Sequence, residues 1–202
     1  MAEYFGFFIS QVFVNNILLS GFLGMCSFLA CSRRMSTALG LGAAVIFVLT
    51  VTVPLNWLLK EFLLRQGALA WAGFADTDLS FLVLIVFISS IAALTQIVEI
   101  VVERCSPVLH ESLGVFLPLI AVNCAILGAS LFMDQRGYTF AQAAVYGTAS
   151  GTGWALAIVL MAAIRKKLWY SDIPGPLKGL GITLLVTGLM SMAFMAFSGI
   201  RL

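Results

Sequence analysis

Six stretches of 20 or more residues in this chain contain no Asp, Glu, Lys or Arg: residues 4–32, 35–59, 79–98, 112–133, 137–164 and 179–200. Each provides the roughly 20 predominantly apolar residues that a helix needs to cross the hydrocarbon layer. The ten-residue alternating segments of a membrane β-barrel are absent. The runs therefore predict an all-α integral membrane protein of six transmembrane helices. Their expected positions are about 6–30, 37–59, 79–101, 112–132, 142–164 and 179–199. Composition agrees: 61% of the 202 residues are hydrophobic and only 10% are charged, where a soluble domain carries about 25% charged residues. The basic residues punctuate apolar segments instead of forming a patch, so nucleic acid is not an expected partner. The start, MAEYFGFF, has an acid where a secretory signal has a basic region, and the first run is expected to remain as a span.

The loop cations alternate between two sides. One side holds Arg33, Arg34, Arg104, Arg165, Lys166, Lys167 and Lys178; the other holds Lys60, Arg65, Arg136 and Arg201. Seven against four makes the first set cytoplasmic and both termini periplasmic. Trp169 and Tyr170 follow the basic cluster and suit the interfacial aromatic belt.

Asn16-Ile-Leu-Leu-Ser-Gly21 is echoed by Asn123-Cys-Ala-Ile-Leu-Gly128, 107 positions later, and Gly40 meets Gly147 at the same offset. Three spans per half reverse the second half in the bilayer. The expectation is a single membrane domain of two inverted three-helix repeats, 1–105 and 106–202. Chance similarity between apolar segments is the competing reading. The first run would reach about 43 Å as a straight helix, which calls for tilt or for a break near Gly21 or Gly24. Pro118 disturbs the fourth span. Irregular backbone in lipid needs protein partners, which marks Asn16 and Asn123 as candidate backbone braces.

Four cysteines remain to be placed. Cys26 and Cys124 lie well inside apolar runs, while Cys31 and Cys105 lie close to charged ends. Such residues either pack as small apolar side chains or ligate a soft metal or an iron–sulfur centre. No CxxC and no nearby histidine decides between these, and a sulfur site needs two further ligands. Glu99, with Gln96 three positions before it, is an acid in a span. It meets a cation or proton path or reaches interfacial water. SGTGW at 150–154 carries small residues suited to close helix packing. His110 has no partners that would make a catalytic triad, and no catalytic residue is expected on this chain.

The stretches FLGMCSFLA (22–30), GVFLPLIAVNCAILG (114–128), YGTASGTGWALAIV (146–159) and YSDIPGPLKGLGITLLVTGLMSMAFMAFSG (170–199) resemble one membrane-protein family. It comprises the E subunits of bacterial Na⁺-translocating NADH:quinone reductases, with the A subunits of Rnf ion-translocating ferredoxin:NAD oxidoreductases as the alternative. The resemblance covers essentially the whole chain. It implies interrupted first and fourth helices and a homologous D subunit of opposite topology. It further implies a [2Fe–2S] cluster shared by the two chains, to which Cys26 and Cys124 contribute and Cys31 and Cys105 do not. Subunits A, B, C and F would complete an inner-membrane enzyme that passes electrons from NADH to ubiquinone and pumps Na⁺. No nicotinamide site is expected on this chain, and Glu99 matches a sodium-linked acid. A stand-alone secondary transporter is the reading from a different class.

Overall fold

The computed structural model describes residues 2–64, 82–105, 123–172 and 174–199. The described residues form a helical bundle. Helix α1 (Ala2–Ile9) continues as a π-helical turn (Ser10–Val14), and α2 (Met25–Cys31) follows a non-helical stretch. Helix α3 (Met35–Leu59) runs on into a second π turn (Lys60–Leu64). Helices α4 (Val83–Cys105), α5 (Cys124–Gln135), α6 (Phe140–Leu168) and α7 (Leu180–Met195) complete the bundle, and α7 ends in a 3₁₀ turn (Ala196–Gly199). Three helical segments, Met35–Leu64, Val83–Val101 and Phe140–Leu168, are long and apolar enough to cross a membrane by length and composition. Together with the shorter apolar helices they make this a multi-pass, all-α membrane protein. Pro118, His110 and Arg65 lie outside the described residues.

The centre of the bundle is the antiparallel pair α3 and α6. Gly147, Gly151 and Ala155 recur every four residues on one face of α6. A Cβ on Gly147 would come within 2.6 Å of the Leu49 carbonyl oxygen, and one on Gly151 within 2.8 Å of the Ile46 Cα. On the opposing helix, Gly42 faces Ala155 at 3.1 Å by the same measure. Close approach of two backbones drives helix association where lipid removes the hydrophobic advantage. The expected small-residue face is therefore present, but Gly147, Gly151 and Ala155 carry it more than the SGTGW string as a whole.

Polar links fix the remaining helices to this pair. Asn56 on α3 is fully buried and its Nδ2 donates to the Ser130 hydroxyl of α5 at 2.8 Å, and the Ser90 hydroxyl of α4 donates to the Asn56 side-chain Oδ1. One turn further along, Lys60 pairs with Asp134. Trp57 donates to the Tyr138 carbonyl at 2.7 Å, and Thr139 forms a capping box with Gln142 at the start of α6. These links place Lys60, Asp134 and Tyr138 at one end of the bundle, and Phe7 meets Tyr138 there. Arg33, Arg34, Arg165 and Lys166 gather at the other end.

The first span is interrupted. After Val14 the backbone leaves the helix and does not resume until Met25, with Phe22 at φ 53° and Gly24 at φ 82°. Such a stretch inside a bilayer must find partners for its amides and carbonyls. The Asn16 side chain supplies two of them and ties the stretch to its neighbours. Its side-chain Oδ1 accepts from the Leu18 and Leu19 amides at 3.0 and 3.2 Å. Its amide nitrogen donates to the carbonyls of Val12 and Gly153 at 2.9 and 2.8 Å. Ser191 of α7 donates to the Leu19 carbonyl at 2.7 Å. Ser20 and Leu23 amides return to the Asn16 and Ile17 carbonyls.

Candidate functional site

The break delivers Gly24 to α5. Its amide donates to the Cys124 sulfur at 2.9 Å. Cys124 is the first residue of α5, and Asn123 before it is an extended N-cap whose side-chain Oδ1 accepts from the Ala125 amide at 3.0 Å. A helix start needs such an acceptor for its unpaired amides. The fourth expected span therefore has a helix beginning in its interior, at Cys124. The residues that lead into it, 106–122, lie outside the described set.

Cys26 sits two residues beyond Gly24, in the first turn of the short α2. Both Cys26 and Cys124 are exposed on the chain's own surface, whereas Cys31 is buried. Lying well inside an apolar run therefore does not bury either side chain within this chain. The helix break turns both cysteines outward, and Cys31, one and a half turns on, takes the place in the core. Cys26 is also deeper than its position in the first run suggests. A Cβ on Gly24 would lie 2.5 Å from the Trp154 indole nitrogen, and Trp154 is the middle residue of the 29-residue α6. The irregular stretch shortens the advance of the chain, so α2 starts near mid-bundle.

Gly24 is tightly enclosed. Besides Trp154, its added Cβ would meet the Asn123 carbonyl oxygen and the Ala125 Cβ, each at 3.0 Å. Gly128 faces the Leu23 side chain at 2.5 Å by the same measure, so the break is laid along the first turns of α5. Two buried donors nearby, Asn123 Nδ2 and Trp154 Nε1, have no hydrogen-bond partner among the described residues. The sequence points to Gly24 only as a place for the break and to Trp154 only as the end of a small-residue string. It gives neither a part in the cysteine corner, for which a glycine two residues before a cysteine is the one available signal.

Arg165 does more than set topology. Its guanidinium donates to the Leu29 carbonyl at 3.0 Å and to the buried Ser32 hydroxyl at 2.8 Å, closing the end of α2. A cation there also complements the helix dipole. Glu99 is half-buried on α4, one turn from buried Thr95, and no hydrogen bond or ion pair joins it to another described residue. Gln96 and Glu103 on the same helix are exposed. Among the described residues no cluster of three or more His, Cys, Asp or Glu side chains forms a self-sufficient metal site.

The chain is similar along its whole length to known proteins. A relative from Nitrosomonas europaea is 58% identical over 197 residues, 98% of each chain. One from Psychrobacter sp. strain PRwf-1 is 56% identical over 202 residues, the whole of both chains. One from Maridesulfovibrio salexigens is 56% identical over 195 residues, 96% of each. All three are named as the E subunits of Na⁺-translocating NADH-quinone reductases. Residues 4–201 match the family described as Rnf-Nqr subunit, membrane protein. This match and the full-length similarity show that the chain belongs to the Rnf-Nqr family of membrane subunits.

Proposed function

We propose that this chain is the E-type subunit of a bacterial inner-membrane Na⁺-translocating NADH:quinone reductase and relays electrons through the bilayer. Full-length similarity to proteins of that name supports the assignment. The observation that carries the relay role is the joined corner of Gly24 and Cys124, with two thiols on the surface near mid-bundle. Exposed thiols at that depth suit a site completed by another chain. In this reading the other chain is the homologous D subunit of opposite topology, and subunits A, B, C and F complete the enzyme.

The donor set fits half of a four-thiolate [2Fe–2S] shell. Cys26 and Cys124 would hold the cluster, and a partner's thiolates would supply the remainder. When bound, such a cluster supplies one-electron redox chemistry inside the membrane. The chain's own residues do the rest. The Gly24 amide donates to the Cys124 sulfur at 2.9 Å and would orient that sulfur towards a bound cluster. Asn123 holds the helix start on which Cys124 sits. Asn16 holds the broken backbone that carries Gly24 and Cys26. Cys31, inside the core, and Cys105 have no ligand role in this proposal.

The two-repeat, six-helix plan with both termini periplasmic belongs to the same proposal. Asn16 and Asn123 lend it support, since each accepts the amide two residues further on, at 3.0 Å in both cases. Glu99 is the proposed sodium-linked acid. Electron paramagnetic resonance of the reduced complex tests the central assignment. Cys26→Ser and Cys124→Ser should each abolish a [2Fe–2S] signal that Cys31→Ser retains. A signal that survives either of the first two changes overturns the ligand assignment.

A further inference from the structure

The bundle end that gathers Arg33 and Arg165 contains two adjoining cavities, each of about 410 Å³. The first lies between the start of α3 and the end of α6, where Arg33, Arg34, Ser36 and Lys166 line it. The second lies between the end of α6 and the start of α7, where Lys178, Gly179 and Thr183 line it. Arg165 and Trp169 line both. Among the described residues no Asp or Glu lines either cavity. Arg165 is held by Leu29 and Ser32, but no ion pair joins Arg33, Arg34, Lys166 or Lys178 to a described carboxylate. Both helix starts at these cavities also lack a side-chain cap: Arg34 precedes α3 and Gly179 precedes α7 without one. Unpaired first-turn amides add to the positive potential of the cations.

The surroundings are amphipathic in one direction. Trp169 and Tyr170 stand 86% and 87% exposed beside the cavities, as aromatic side chains do at headgroup level. Towards the membrane interior, the surface becomes apolar through exposed Leu39 on α3 and exposed Leu180 and Leu184 on α7. Cations that only fix orientation need neither a cavity nor uncapped helix starts. A free phosphate ion has no use for the apolar run below them. A phospholipid uses both.

We propose that these cavities bind the phosphate headgroups of anionic phospholipids, with acyl chains lying along Leu39, Leu180 and Leu184. The site is separate from the cysteine corner and does not depend on the redox assignment. A photoactivatable phosphatidylglycerol added to the purified membrane assembly containing this chain should label peptides around Arg33–Ser36 and Lys166–Tyr170. A matched phosphatidylcholine probe should label them far less. Arg33→Gln, Arg34→Gln and Lys166→Gln should each weaken phosphatidylglycerol binding roughly fivefold, and the triple variant about a hundredfold. Arg165 stays in place because it closes α2, and an unchanged melting temperature of the triple variant excludes misfolding as the cause. Equal labelling by both probes, or labelling that survives the triple change, overturns the proposal. Complete displacement by millimolar inorganic phosphate replaces the lipid with a free anion. Protection only when a soluble protein of the assembly is docked replaces it with an acidic protein surface.

Discussion

The Gly24 amide reaches the Cys124 sulfur at 2.9 Å across 100 positions of sequence. The contact exists because the first span is broken and because Gly24 has neither a side chain nor an ordinary backbone conformation. At φ 82° a side chain is strained, and the space that a Cβ would take already holds the Trp154 indole and Asn123. Gly24→Ala should destabilise the chain by on the order of 2–5 kcal/mol, combining left-handed strain with overpacking. The melting temperature of the purified assembly should fall sharply. A near-native transition would mean that the corner yields easily and that the enclosure of Gly24 contributes little to stability.

Asn16 uses both ends of its amide, so the test is a substitution that preserves only one. Asn16→Asp retains the acceptor for the Leu18 and Leu19 amides but turns an oxygen on the carbonyls of Val12 and Gly153. It should destabilise at least as much as Asn16→Ala, whose cost is roughly 2–4 kcal/mol for the lost bonds and stranded backbone groups. Thermal unfolding in detergent separates the two variants. If the aspartate variant matches the wild type, the donor half of the brace contributes nothing.

Arg165 closes α2 from a helix that is remote in sequence, which ties cysteine accessibility to a distant charge. In the separated chain a small alkylating reagent should modify Cys26 and Cys124 and spare Cys31. Arg165→Gln removes the planar donor set that serves Leu29 and Ser32 together. The end of α2 should then fray, and Cys31 alkylation should rise several-fold by mass spectrometry while Cys124 is unaffected. Unchanged protection of Cys31 would show that core packing alone holds that end.

How much of this was open to sequence reasoning depends on the range of the forces involved. Hydropathy is local and additive, so the positions of α3, α4, α6 and α7 followed from charge-free runs to within a few residues. The grouping of loop cations followed as well, since Arg33 and Arg165 do share one end and Lys60 and Arg136 the other. The Asn16 brace was legible because an amide in an apolar run demands a backbone partner. The enclosure of Gly24 was not, because its constraint comes from Trp154 and Asn123, each about a hundred or more residues away. The outward aspect of Cys26 and Cys124 was not legible either, since periodicity cannot say which face of a broken helix is left for another chain. The sequence echo itself pairs Asn16 with Asn123 at an offset of 107, while the cysteines are 98 apart. The echo therefore locates two similar backbone turns and does not by itself relate the thiols.

Glu99 provides the test of ion coupling. It is half-buried on α4, and no hydrogen bond or ion pair joins it to another described residue. A carboxylate held that way in a span is costly unless it meets water or a cation. Glu99→Gln preserves size and hydrogen bonding but removes the charge. If Glu99 contributes to sodium uptake, the variant complex should require several-fold more Na⁺ for half-maximal stimulation of quinone reduction. The proposed [2Fe–2S] signal and the activity without added Na⁺ should persist. Glu99→Asp should recover part of the Na⁺ response, since the charge returns on a shorter arm. Loss of the cluster signal in Glu99→Gln would instead make the residue a structural support. An unaltered Na⁺ dependence would leave it as an acid that merely reaches interfacial water.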